Sequence, residues 1–327
     1  MASIGKPRKS PVKITSLEAM REEIGHQTQD LLSFSHDLKK SQRNLEADPS
    51  KLVFTGSGDS YASSLFAHYL SGGLATVADP YELQSERDLV LGRTVFITSV
   101  SGRTAANVQL AGRIREVASR RVAVTTNPTS PLGRECDETI RLKYTSSHVL
   151  TAGTLSFTSS LLALASQIRA LPILEGLDRI RVHSAEWSSD VKHRVDGRLV
   201  FVGSGIGYAL AAYGAFKIHE VLGSPAEYVH SEQLGHSELF SLGPRDLIVG
   251  VASQGDGKTV ETCRAVQEMG LRARVFTGYN REPVLFALEA AFALQHFVLK
   301  LAETERREEC AFILDKDRLE LSSRLIY

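Results

Sequence analysis

The chain has little cysteine. Cys136, Cys263 and Cys310 are the three among 327 residues; they are far apart, odd in number and form no CxxC pair. A disulfide framework is therefore excluded as the basis of the fold, structural zinc is not expected, and a reducing compartment is the natural setting. Neither sign of charge is in surplus: 38 Lys and Arg stand against 38 Asp and Glu, for a formal net charge of zero. No basic field is offered to nucleic acid or to a membrane surface, and neither is expected as a partner. Uninterrupted apolar runs all fall short of the roughly 20 residues that span a bilayer. The opening MASIGKPRKSPVK is basic but lacks the apolar core of a signal peptide. It reads as a short disordered tail, and the protein as cytoplasmic. What remains is 43% hydrophobic and 23% charged, the composition of an ordinary globular protein.

What the chain does have is a repeat. Leu52-Val-Phe-Thr-Gly-Ser-Gly-Asp-Ser-Tyr-Ala62 recurs as Leu199-Val-Phe-Val-Gly-Ser-Gly-Ile-Gly-Tyr-Ala209, with eight of eleven positions identical at a constant offset of 147. Agreement that dense and ungapped means two copies of one folding unit. Each copy reads as a buried strand, a glycine turn and a helix, which gathers backbone N–H donors at a helix N-terminus where an anion can be held.

The patterning around each copy is α/β. Apolar residues at helical spacing over 14–46 predict one or two lead-in helices. Strands follow at 52–55, 75–78, 94–99 and 121–125, with a last pattern at 140–144; helices fall at 60–70, about 104–118 and 154–171. The second unit repeats the order with strands 199–202, 226–228, 246–252 and 273–277, and helices 208–222, about 259–269 and 284–301. Short strands alternating with longer helices predict parallel sheets covered on both faces. The expected division is a tail with lead-in helices (1–47), one module (48–172), a second (180–302) and a charged tail (303–327).

Two motifs carry chemistry. Gly56-x-Gly58 after a strand, with Asp79 further on, suggests a dinucleotide turn, yet Tyr61 and Tyr208 stand where the fingerprint needs a third small residue. No nicotinamide or other cofactor is expected, nor a metal; a tight turn without a ligand is the alternative for one copy alone. The sharper signal is Thr98-Ser-Val-Ser-Gly-Arg-Thr104, which follows an apolar strand and opens a helix. Ser99, Ser101 and Thr104 bring three hydroxyls beside free helix N–H donors, whereas an N-cap needs one. The second unit has a degraded version, Ser253-Gln-Gly-Asp-Gly-Lys-Thr259.

A glycine-Ser-Tyr turn followed by Ser-x-Ser-Gly-x-Thr in tandem α/β units resembles the double SIS (sugar isomerase) family. The resemblance covers roughly residues 50 to 300. It is similar in particular to the isomerase half of glucosamine-6-phosphate synthase and to archaeal-type glucosamine-6-phosphate deaminases. Ala215-Phe-Lys-Ile-His-Glu220 and the downstream Leu234-Gly-His236 match the family's Lys-x-x-Glu helix and its histidine, 16 residues beyond the glutamate. The resemblance implies two flavodoxin-like αβα sandwich modules with parallel sheets, and a homodimer binding a small sugar phosphate. It implies Glu220 as the base, Lys217 one turn before it, and His236 as the ring-opening histidine, lent across the dimer interface. Ser99, Ser101 and Thr104 would grip the phosphate, Gly58 and Ser60 would lie near the sugar, and Thr151 on the loop opposite.

The residue types suit those roles. Lys217 and Glu220 share a helix face. Moving a proton between C1 and C2 of an open-chain sugar needs one base that takes it from one carbon and returns it to the other, and a partly desolvated carboxylate serves. Histidine titrates in the range needed to open a ring. Taken singly, Lys217 and Glu220 would more often be a surface ion pair, and His236 a solvated loop residue; together, at the family's spacing and downstream of the hydroxyl loop, they read as functional. Some positions depart from the family: Val100 and Arg103 stand where glutamine and glutamate are usual, and Leu-Gly-His-Ser-Glu replaces Leu-Lys-His-Gly-Pro. The synthase's C-terminal lysine has only Lys316 as a distant counterpart, and no glutaminase portion is recognised. The expected activity is isomerase-type chemistry on a hexose or amino-sugar 6-phosphate, with ammonia-releasing glucosamine 6-phosphate deamination first. A non-catalytic sugar-phosphate regulator, a plain isomerase and a deglycase stay open as alternatives.

Overall fold

Both copies of the repeat fold as a buried strand running into a helix. A computed structural model describes residues 14–41, 48–192 and 194–327; the expected disordered tail at the start of the chain lies outside them. The strands are β1 Leu52–Gly56, β2 Thr76–Val77, β3 Thr94–Thr98, β4 Arg120–Thr125, β5 Glu138–Arg141, β6 Leu199–Gly203, β7 Ala226–His230, β8 Leu247–Ala252 and β9 Arg272–Thr277. The helices of the first half are α1 Ser16–Ser41, α2 Asp59–Leu70, α3 Pro80–Ser85, α4 Ala105–Arg113, α5 Pro131–Glu135 and α6 Leu155–Ile168. Those of the second are α7 Leu177–Glu186, α8 Ile206–Leu222, α9 Gly257–Glu268, α10 Pro283–Thr304, α11 Ala311–Leu314 and α12 Lys316–Ile326.

Two wholly parallel sheets result, ordered β2-β1-β3-β4-β5 and β7-β6-β8-β9. Both follow the flavodoxin-like winding, which puts a ligand crevice at the carboxyl ends of the first and third strands. Side-chain alternation along the strands builds the layers. In the first sheet Val53, Val95, Ile97 and Ala123 face the outer helices α3, α4 and α5. Leu52, Phe54, Phe96, Val122 and Val124 face inward, with Phe54 stacked on Phe96 at 5.1 Å. In the second sheet Val200, Val202 and Ile248 face α9, while Phe201, Val249 and Val251 face inward. The two inner faces share one core, filled by α1, α2, α6, α8 and α10. The two modules are thus halves of a single apolar interior, joined where α2 packs on α8.

The structure differs from the sequence reading in several places. One continuous helix, α1, stands where one or two were expected. The last strand of the first sheet is Glu138–Arg141 rather than 140–144. Three helices went unread: α3, α5 and α7. The first carried a legible signal, because Asp79-Pro-Tyr-Glu82 forms a capping box. Asp79, the candidate ribose acid of the dinucleotide reading, accepts a hydrogen bond from the Tyr81 amide at 2.7 Å. The stretch read as a charged tail is helical in part, as α11 and α12. Finally, α10 has the length and mean apolarity of a membrane span, which a search for uninterrupted runs does not register. It is the core helix, buried on nearly every side, and carries Glu289 and Gln295 in its interior.

Candidate functional site

The glycine turns come first. Gly58 and Gly205 cap α2 and α8 with φ of 59° and 55° and no side-chain cap; the turn is closed by backbone bonds instead, from the Ser60 amide to the Ser57 carbonyl and from the Gly207 amide to the Ser204 carbonyl. Gly56 at the end of β1 pairs with Thr98 at the end of β3. The Gly58 turn and the Ser99–Thr104 loop therefore leave the same sheet edge side by side. Ser60, in the first turn of α2, is buried.

The loop after β3 is braced from below. The Val100 carbonyl accepts from the hydroxyls of Thr125 at 3.1 Å and Thr126 at 2.8 Å, and from the Thr126 amide at 3.1 Å. Gly102 has φ 65°, and a Cβ there would lie 2.0 Å from the Ser130 hydroxyl. Ser99 and Thr104 bring their hydroxyls 3.2 Å apart, and the Arg103 amide donates to the Ser101 hydroxyl at 3.3 Å. Thr104 is the N-cap of α4 and makes no side-chain capping bond, so the helix N-terminus is uncommitted. Of the three hydroxyls singled out from sequence, those of Ser99 and Thr104 meet, while that of Ser101 is engaged with the Arg103 amide.

The second half of the site hangs from α8. Lys217 has a side-chain exposure of 0%, which overturns its reading as half of a surface ion pair. Its Nζ donates to Asp59 Oδ2 at 2.8 Å and to Glu220 Oε2 in a shorter contact. A buried ammonium needs such partners, and the two carboxylates keep it well charged, its pKa raised despite the opposing effect of burial. Asp59 was not singled out from sequence. Burial pushes its carboxyl up to about 7; Lys217 pulls against this and Glu220 adds to it. Its Oδ1 is buried without a hydrogen-bond partner. One signal could have found it: Asp59 is a position where the repeat breaks, facing Ile206 in the second copy.

Glu220 opens onto a cavity of about 490 Å³ whose lining includes Thr151, Gly153, Asp315, Arg318 and Tyr327. Thr151 lies in that wall, its hydroxyl donating to the Ser16 carbonyl at 2.6 Å. Tyr327 also packs under the Arg103 guanidinium, 5.4 Å from the ring centroid. Hence the loop of the first module and the glutamate of the second flank one residue of the closing segment. Lys316 is exposed and does not line the cavity, although its neighbours Asp315 and Arg318 do. His236 is not brought to Glu220 of its own chain. It is 68% exposed, 3.6 Å from Glu232, in a separate hollow with Lys258 and Leu239. Among the described residues no group of three or more His, Cys, Asp or Glu is arranged to hold a metal ion.

Comparison with known proteins agrees with this architecture. The SIS domain profile matches residues 47–168 and 194–277, more than half of the chain. The chain belongs to the SIS domain family. Glutamine–fructose-6-phosphate aminotransferase (isomerizing) of Caldanaerobacter subterraneus is 22% identical over 276 residues, covering 73% of this chain and 43% of that protein. The Pyrococcus horikoshii enzyme of the same name is 27% identical over 240 residues, covering 64% and 39%. This SIS chain thus spans less than half the length of those relatives. Among solved structures, glucosamine-6-phosphate deaminase from Thermotoga maritima superposes with a TM-score of 0.70 at 19% identity, over 89% of this chain and 96% of that one. The C-terminal domain of glucosamine-fructose-6-phosphate aminotransferase from Francisella tularensis gives 0.64 at 19% identity, over 91% and 98%. The shared fold is that of phosphosugar isomerases.

Proposed function

We propose that this SIS protein is an enzyme that binds a hexose or amino-sugar 6-phosphate and moves a proton between its C1 and C2, glucosamine 6-phosphate with release of ammonia being the first substrate to try. The observation that carries the reading is the Lys217–Glu220 pair at a cavity bounded by Tyr327, which also touches the Ser99–Thr104 loop. In this reading the α4 N-terminus and the hydroxyls of Ser99, Ser101 and Thr104 hold the phosphate, Gly58 and Ser60 lie beside the sugar, and Thr151 closes the opposite wall. Arg103 adds a charge that strengthens the grip on an anion. Glu220 takes the proton from one carbon and returns it to the next. Lys217 holds the carboxylate in place and balances its charge. The exposed His236 is assigned to the ring-opening step in a neighbouring subunit's site, so the working form is a homodimer. The cytoplasm is the expected setting, in keeping with three free thiols.

The decisive experiment is Glu220→Gln. A panel of phosphosugars is screened by thermal shift, then assayed for isomerisation and ammonia release. The amide is close in size but takes no proton, so kcat should fall by about 10²–10⁴-fold with affinity nearly intact. Near-normal turnover would end the isomerase-type reading. The second reading, a sugar-phosphate regulator without turnover, draws on Val100 and the altered residues around His236; it expects tight binding, no turnover, and indifference to Glu220→Gln. Sedimentation tests the dimer: a monomer fully active at nanomolar concentration refutes the lending of His236.

A further inference from the structure

Glu220 is not alone with its lysine. Two carboxylates, one from each module, approach the same buried ammonium: Asp59 opens α2, and Glu220 lies in the last turn of α8. A lysine paired with Glu220 alone would stabilise the ionised carboxylate and weaken it as a base, an effect of about 1–3 pH units for a close ion pair. A second carboxylate on the same ammonium opposes that effect. The loop carrying Gly153 lies close against Asp59, since a Cβ on Gly153 would lie 2.5 Å from Asp59 Oδ2.

We propose that Asp59 is a positioning residue for the base: by sharing Lys217 it prevents that ammonium from neutralising Glu220 completely, and so preserves the proton affinity Glu220 needs for abstraction at carbon. The proposal rests on the reading of Glu220 as base. It explains why this turn carries an aspartate while its copy carries Ile206, which has no lysine to share. The other groups facing the triad do not interfere with it. Tyr213 on α8 and Cys310 before α11 are both held protonated by burial. Thr151 and Gly153 opposite are uncharged. The His219 ring is engaged with the backbone of Ala226 at 3.0 and 3.1 Å. On the closing segment Asp315 and Arg318 pair with each other at 3.1 Å.

The test is Asp59→Asn, which is isosteric and keeps an oxygen for Lys217. On the substrate identified with wild type, the acidic limb of the kcat/KM profile should move down by at least about one pH unit, with KM little changed. A merely structural aspartate would lower activity without moving that limb. A limb that stays, or that moves up, overturns the proposal. A second arm needs no substrate: carboxyl ¹³C spectra of labelled wild type, Asp59→Asn and Glu220→Gln are followed from pH 3 to 9. The signals lost in the two variants should titrate in wild type as two linked steps, and removing either carboxylate should move the other's step down. Independent titration overturns the inference even if Glu220→Gln abolishes turnover, whereas turnover surviving Glu220→Gln defeats the reading of Glu220 as base and leaves the linkage to be judged by the spectra. If Asp59→Asn does not fold, Asp59→Ser, too short to reach Lys217, is used in both arms with the same expected directions.

Discussion

The two modules carry the same loop at the same place and close it differently. In the first, Thr104 caps α4 without a side-chain bond, and the hydroxyls of Ser99 and Ser101 stand beside open amides. In the second, Asp256 caps α9, accepting from the Thr259 amide at 3.1 Å and its hydroxyl at 2.5 Å. That hydroxyl is also 2.5 Å from Ser231. A carboxylate already sits where the first loop would hold an anion, and the N-terminal end of the helix dipole is satisfied from within. The glycine turns diverge in parallel: Asp59 and Ser60 in one, Ile206 and Gly207 in the other. The two helix starts share one local pattern, and a single capping aspartate satisfies one of them from within. Meanwhile the second module contributes Lys217 and Glu220, so each half retains what the other gave up.

The comparison breaks most sharply if the second loop turns out to bind the ligand. Ser101→Ala with Thr104→Ala should weaken phosphosugar binding by roughly 100-fold, at about 1.5 kcal/mol for each lost hydroxyl on a charged phosphate. Ser253→Ala with Thr259→Ala should leave affinity within about twofold; isothermal titration with the same sugar phosphate reads both. Next in size is a pair of glycine substitutions. Gly255→Ala introduces only a left-handed alanine at φ 103°, whereas Gly102→Ala does that and must also displace Ser130. Chemical unfolding should cost the first about 1 kcal/mol and the second about 2 kcal/mol or more.

A third test uses pH to separate the turns. Burial pushes the Asp59 carboxyl up to about 7, against an ordinary 3.8, with Lys217 pulling against this and Glu220 adding to it, so the proton belongs to the linked pair of carboxylates rather than to Asp59 alone. The folded state therefore binds a proton that the unfolded chain releases, and stability from this group is full below about pH 4 and lost as pH rises through 7. Between those limits wild type should lose up to about 4 kcal/mol relative to Asp59→Asn in paired melts; parallel pH curves would contradict it. Smallest is the cap itself. Asp256→Ala should cost about 1 kcal/mol of stability with no change in phosphosugar affinity.

Most of the sheet was legible because the signals are local. The strands from Leu52, Thr94, Leu199 and Leu247 announce themselves by apolar runs ending in glycine or hydroxyl residues. The repeat then tied them into two units. The Ser99–Thr104 loop was legible for the same reason, since a strand end, three hydroxyls and a helix start lie within seven consecutive residues. Asp59 was not, because its partner Lys217 lies 158 positions away and meets it only where α2 packs on α8. Nor was Tyr327 against Arg103, a contact that depends on where α12 comes to rest. The chain alone determined two parallel α/β modules, their glycine turns and one hydroxyl-rich loop, because each depends on residues a few positions apart. Only the tertiary structure decided that one ammonium is buried between carboxylates of both modules and that a closing helix reaches back to the loop. Those arrangements follow from how helices pack across a shared core, and the energy of burying a charge beside its partner appears only when the halves meet.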